Sequence, residues 1–255
     1  MKIVKFVTAA LAAALAAQAW AVGSMADVAV FDRSEGRTLK VHWHDGRAWV
    51  VGKPGNEYQI MVRNRRGEDL LAVMSVDGVN VVSGETAHPQ QSGYVLSPWR
   101  GLDVKGWRKS LERTAAFYFT PLPDSYAART GRPDNVGVIG VALFQRKRLT
   151  PPAAIAPIAR SAPSTADAAA SGAHAEAQAP TAEREAKLGT GHGRSEASQA
   201  RTVEFERASS TAAETIAIHY DSYRNLVARG VIREPQPLPF APNPFPGFVP
   251  DPPQG

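Results

Sequence analysis

Cysteine is absent from all 255 residues. That excludes a disulfide-stapled scaffold, a thiolate nucleophile, a cysteine-ligated zinc site and an iron–sulfur cluster, and it leaves no residue to carry the lipid of a lipoprotein. Charge of one sign is also scarce, because 29 Lys and Arg stand against 24 Asp and Glu, a formal net charge of +5. So small an excess is no electrostatic footprint for nucleic acid, and no nucleic-acid partner is expected. No G-x-S-x-G elbow occurs, and no glycine-rich loop ends in Lys-Ser/Thr as a P-loop does. No segment reaches the roughly 20 apolar residues that a bilayer-spanning helix needs. These absences leave no catalytic residue, metal or cofactor to assign, and a hydrolase is only the third reading, behind two binding roles.

The residues that are present begin with an export pattern. Lys2 and Lys5 precede an apolar run over residues 6–17, and Ala19-Trp20-Ala21 then gives the small-x-small motif that a signal peptidase accepts. Ser24-Met25-Ala26 is a second candidate. Cleavage is expected after Ala21, or else after Ala26, and loss of the two lysines lowers the net charge from +5 to +3. The expected product lies in a periplasm or outside the cell, with no transmembrane segment in the mature chain.

Residues 27–148 carry β-branched and aromatic runs separated by Gly, Asp, Asn and Pro at intervals of about ten residues, the spacing of an antiparallel sandwich. Over 38–52, Asp45-Gly46 fits a type I′ turn that pairs His42 with Trp49 and Trp43 with Ala48, placing Val41, Trp43, Ala48 and Val50 on the core face. Over 70–84, Asp77-Gly78 repeats the device and aligns Met74, Val76, Val79 and Val81, with Ser75 and Asn80 opposite. Between them Tyr58, Ile60 and Val62 alternate inward before a turn at Arg65-Arg66-Gly67-Glu68. Residues 115–120 and 136–144 read as further strands, the second central and buried on both faces. Eight or nine strands in so short a stretch imply two packed sheets.

Residues 149–187 are rich in Ala and Pro without aromatics and are expected to be a disordered linker. In 188–233, the alternations Val203/Phe205 and Ile216/Ile218 read as a hairpin docking on the sandwich, with a short helix after it, capped by Asp221 and stopped by Gly230. Residues 234–255 hold nine prolines, a disordered, extended tail. The fold class is therefore mainly β: an antiparallel β-sandwich with a C-terminal hairpin and short helix after a disordered linker.

Several constellations carry chemistry. His42-Trp43-His44 puts two imidazoles on one face, but Lys40 and Arg47 share that face and disfavour a dication, so it reads as a solvated polar surface. In 188–196 (LGTGHGRSE), alternating glycines around His192 and Arg194 could form an anion-binding nest, or a tight connection where side chains would not fit. Trp99 and Trp107 could stack on sugar rings, or plug the open end of the core. Arg129 and Arg132, with Arg146-Lys147-Arg148, form a basic patch or a solvated edge. The candidate ligand-binding residues are thus Trp99, Trp107, Arg129, Arg132, His192 and Arg194. Ser97, Ser125, Ser222, His88 and the pair Glu204/Glu206 sit in ordinary loop, cap or surface contexts.

Two stretches resemble a family of exported proteobacterial proteins of unknown function: YQIMVRNRRGEDLLAVMSVDGVNVVSGE with the later DSYAARTGRPDNVGVIGVALF, and LGTGHGRSE with YDSYRNLVARGVI. The resemblance implies an envelope or secreted location and a shared architecture, and brings no activity with it. The leading expectation is a non-enzymatic exported sandwich acting in envelope interaction or assembly, with an envelope protein or polysaccharide as partner. The second is a carbohydrate- or polyanion-binding protein, and exposure of Trp99 and Trp107 separates the two.

Overall fold

Both Asp-Gly dipeptides turn the chain in the computed structural model, which describes residues 21–148 and 187–233. Each has positive φ at both central residues, 48° and 71° at Asp45-Gly46 and 54° and 73° at Asp77-Gly78, as a type I′ turn requires. Before the first turn lie β1 (Ala26–Asp32), β2 (Arg37–Thr38) and β3 (His42–His44). After it, β4 (Arg47–Val51), β5 (Glu57–Asn64) and β6 (Leu70–Val76) run to the second. Beyond come β7 (Val79–Asn80), β8 (Tyr94–Leu96), β9 (Gly101–Val104), β10 (Gly106–Arg108), β11 (Arg113–Pro121), the helix α1 (Tyr126–Arg129) and β12 (Val138–Gln145). The second described stretch holds β13 (Leu188–Ala197), β14 (Glu214–Asp221) and α2 (Tyr223–Ala228).

The strands form two seven-stranded sheets. In the first, β5 lies between β1 on one edge and β9 and β11 on the other, and β13 runs along the far side of β11. The second has the order β3-β4-β14-β12-β6-β7, with β8 also on β6. Pairing is antiparallel throughout except between β4 and β14. Alternate residues of both sheets meet in one core: Val28, Val30, Tyr58, Ile60, Phe117 and Phe119 from the first pack with Met74, Ile139, Val141, Ile216 and Ile218 from the second. The fold is thus a mainly β sandwich with a short C-terminal helix. The missing alternation in β12 has a physical cause, since Ala142 and Phe144 are also buried on its outer face, in a small cluster with Leu71, Val73 and Phe205.

Four expectations are corrected. Residues 202–207 do not form a hairpin with 214–220: β14 instead inserts between β4 and β12, where both edges are paired and Ile216, Ile218 and Tyr220 become buried. Residues 202–206 carry no strand, and Phe205 packs on the outer cluster under the Arg146 guanidinium. Residues 188–196 are no loop connection but the strand β13, paired with β11 along its length. Their glycines are still set by close packing, because a Cβ at Gly191 would overlap the Tyr118 ring and one at Gly189 would press on Ser125 and Val136. Trp43, expected in the core with Val41, Ala48 and Val50, is 57 % exposed because β3 is the edge strand of its sheet. Ser222, not Asp221, caps α2, accepting from the Asn225 amide at 3.3 Å, while Asp221 is buried beneath it and accepts from Ser222 N and Asn225 Nδ2. Gly230 closes that helix with φ 72°.

The strands between residues 26 and 145 number twelve rather than eight or nine, because β2, β7, β8, β9 and β10 have four residues or fewer and show no readable alternation. The signal segment over 1–20, most of the linker and the tail from 234 lie outside the described residues.

Candidate binding site

The most perturbed titratable group lies in the interior. Asp77, at the first position of the β6–β7 turn, is completely buried and accepts from Gly137 N at 2.9 Å, Thr190 N at 2.7 Å and the Tyr220 hydroxyl at 2.5 Å. Thr190 Oγ1 lies 2.6 Å from Tyr220 Oη and 2.6 Å from Tyr58 Oη, so a chain of hydroxyls links both sheets. Burial pushes the Asp77 carboxyl from 3.8 up to about 6, against the opposing pull of its Tyr220, Gly137 and Thr190 hydrogen bonds and of Lys187. Burial and the neighbouring Asp77 charge hold both phenols well above their usual range. With no exposed surface, Asp77 meets no substrate. Its network is a clasp between the sheets.

Four of the six candidate residues gather at the end of the sandwich nearest this clasp. Trp107 is only 3 % exposed and packs edge-on against Phe117, with Tyr126 of α1 beside it, so it plugs the core. His192 covers it from β13, its ring 6.3 Å from Trp107 and 5.4 Å from Tyr126. Burial, then the charges of Lys109 and Arg129, hold that imidazole below its ordinary range. Arg132 lies over the Tyr126 ring and donates to Gly84 O at 3.1 Å. Arg194 is elsewhere, on the outer face, clamped to Glu57 at 2.7 and 2.9 Å; that contact holds Glu57 below the usual carboxylate range. It is therefore a cross-strand tie and not part of an anion nest. Nor do the cations form one basic patch: Arg146 pairs with Asp69, Lys147 with Glu206 and Arg148 with Glu68, at the opposite end from Arg129 and Arg132.

Trp99 stands alone at that opposite end, and its geometry is unusual. It is 61 % exposed with φ 60°. Arg100 N donates to Ser97 O at 3.1 Å, so 97–100 is a β-turn with Pro98 at its second position and Trp99 at the third, where positive φ normally selects glycine. A bulky L-residue there costs about 1–2 kcal/mol. The surroundings enforce it. Asn64, fully buried at the end of β5, donates through Nδ2 to Glu68 O at 2.8 Å, Leu96 O at 3.0 Å and Ser97 O at 3.2 Å. It also accepts from Arg66 N at 2.7 Å and donates its own amide to Arg100 O. One side chain thus fastens the 65–68 turn to the 97–100 turn.

Beside Trp99 lies an open groove of about 390 Å³ lined by Arg66, Gly67, Glu68, Gln145 and Arg148. Glu68 accepts from Gln145 at 3.3 Å and from Arg148 at 3.0 Å. Among the described residues, Arg63, Arg66 and Arg100 make no ion pair, although all three are exposed. Sequence reasoning singled out Trp99 but missed Asn64, Arg66, Glu68 and Gln145. The 65–68 turn was legible in the sequence but the 97–100 turn was not, and only the pairings Arg63 with Gly101 and Leu70 with Leu96 bring the two together.

His42 is half-buried on β3, and burial together with the Lys40 charge lowers its pKa; His44 lies 3.3 Å from Asp45. Among the described residues no three His, Asp or Glu side chains converge as metal ligands. No helix among them is long and apolar enough to cross a membrane. Comparison with known proteins finds no matching family model, no similar curated protein and no similar solved structure.

Proposed function

We propose that this chain is an exported, non-enzymatic β-sandwich module that acts by binding in the cell envelope, with Trp99 as its contact residue. One observation carries the reading: an exposed tryptophan is held at positive φ by a buried asparagine that ties two loops. Strain without compensating burial is retained where an aromatic must be presented in fixed geometry. Trp107, by contrast, is core, so the binding role passes to Trp99 alone.

Export is supported by the basic, apolar and small-residue segments over 1–21, and by the contacts that the adjoining residues make. Val22 exchanges two 2.8 Å hydrogen bonds with Val28, and Ser24 N and Met25 N both donate to the Glu214 carboxylate at 2.7 Å. Cleavage after Ala21 keeps these contacts. Cleavage after Ala26 would remove the buried Met25 and Ala26.

The test is Trp99→Gly. A glycine relieves the strain, so the variant is expected to match or exceed the parent's stability by up to about 1 kcal/mol once the flexibility cost of glycine is deducted. Truncating a core tryptophan would cost about 3–5 kcal/mol, and a loss of that size would refute the display reading. Osmotic-shock fractionation with N-terminal sequencing checks export, with Val22 expected as the first residue.

A further inference from the structure

The groove next to Trp99 has a composition that selects among ligands. Its lining contains no apolar side chain, only Arg66, Gly67, Glu68, Gln145 and Arg148. A peptide anchored by a large apolar residue would find no pocket there. The indole nevertheless offers a broad flat face standing in water on a turn whose backbone Asn64 holds, and Gly67 of the groove lies at its edge: a Cβ there would sit 3.9 Å from Trp99 Nε1, an ordinary van der Waals contact. The ligand that fits such a face must have a flat C–H surface and a rim of hydroxyls. A pyranose ring has both.

Charge narrows the class further. Glu68, Gln145 and Arg148 are already joined to one another, and together they present acceptors and donors suited to hydroxyl groups. Arg100 follows Trp99 in the chain and Arg66 lines the groove; their backbones meet at Asn64, and neither guanidinium is paired with a carboxylate among the described residues. Unpaired guanidinium groups beside a stacking surface favour an anion that can be bound by charge-assisted hydrogen bonds.

We infer that Trp99 and this groove bind an acidic glycan, the indole stacking on one sugar ring, Arg66 and Arg100 holding its carboxylate or phosphate, and Glu68 and Gln145 taking its hydroxyls. The inference rests on the proposed display of Trp99 and adds the ligand class. An anionic membrane surface is the competing occupant for an exposed tryptophan among arginines, but a glutamate and a glutamine in the groove suit a hydroxylated ligand better than packed headgroups.

The experiment titrates the mature chain, monitored by tryptophan fluorescence and calorimetry, with four probes: oligogalacturonate, a phosphomannan oligosaccharide, neutral maltohexaose, and vesicles of phosphatidylglycerol with phosphatidylcholine. Binding to either acidic oligosaccharide is expected, weakened about tenfold or more by Trp99→Gly and severalfold by Arg66→Ala, and falling with added salt. The two acidic probes tell a carboxylate from a phosphate. Equal binding of maltohexaose would overturn the acidic requirement, and Trp99-dependent binding of vesicles alone would overturn the glycan in favour of a membrane. No binding of any probe, with Trp99→Gly as stable as the parent, would overturn the ligand class while leaving the display of Trp99 standing. A destabilised Trp99→Gly would instead remove the reading beneath it.

Discussion

Replacing Asp77 by Asn tests the interior clasp through its pH dependence. The folded-state pKa is raised from 3.8 to about 6, so the carboxyl binds its proton more tightly in the folded chain than in the unfolded one. Its contribution to stability is therefore fully present below 3.8 and is lost as pH rises through 6. At about 1.4 kcal/mol per pH unit the whole loss is about 3 kcal/mol, of which about 2 kcal/mol falls between pH 4.5 and pH 8. Asn suits the site's φ of 54° and cannot ionise. Its Oδ1 can keep the Gly137 amide and the Tyr220 hydroxyl, but its NH₂ then faces Thr190 N–H, one donor against another, at a cost of about 1–3 kcal/mol. The variant should be the less stable protein in acid and should gain on the parent by about 2 kcal/mol between pH 4.5 and pH 8, closing or reversing the gap. Urea unfolding monitored by circular dichroism, at fixed ionic strength across that range, measures the difference. Subtracting the two curves cancels other groups such as Glu57, whose lowered pKa acts in the opposite direction. A difference that stays flat with pH would refute the argument, because Asp77 would then titrate alike folded and unfolded.

Three further outcomes are expected. Gly106→Ala would drive a Cβ into the backbone carbonyl of Ala115, which cannot swing aside, and should cost about 3 kcal/mol by chemical denaturation; a neutral result would contradict the β10–β11 register. Phe205→Ala should cost only about 1–2 kcal/mol, since the ring is half-buried in the outer cluster, whereas Phe117→Ala in the main core should cost about 3–5 kcal/mol; comparable losses would show that the outer cluster had been misjudged. Cutting the chain at a protease site inserted near residue 165 should leave a nicked protein that elutes undivided on gel filtration and separates only in denaturant, because β13 and β14 each pair within a sheet built from the first fragment. Separation in native buffer would refute that.

The hairpins were legible because Asp-Gly at a fixed offset dictates both turn and register, and His42 with Trp49 and Val76 with Val79 pair as those turns require. The destinations of β13 and β14 were not legible. A parallel neighbour such as β4 for β14 leaves no local signature, and the alternation of Val203 and Phe205 imitates a strand although the segment lies across the outer face. Asp77 shows the same limit. Its place in a turn gave the backbone angle but not that its carboxylate points inward to two segments more than a hundred residues away. At the candidate site the sequence offered Trp99 as a stacking or core residue, but its turn and strain came into view only with φ, and the groove only when the β5–β6 turn met the end of β12.

The position of β14 between β4 and β12 also governs the order in which the chain can fold during its own synthesis. Until residue 197 has emerged the first sheet lacks β13 and Asp77 lacks the Thr190 amide, and until residue 221 has emerged the second sheet has a gap in its middle and Asp77 lacks Tyr220. An N-terminal portion in that condition exposes unpaired strand edges on β4, β12 and β11. The last strands delivered are therefore the ones that lock the fold, β14 by filling the gap between β4 and β12 and bringing Tyr220 to Asp77.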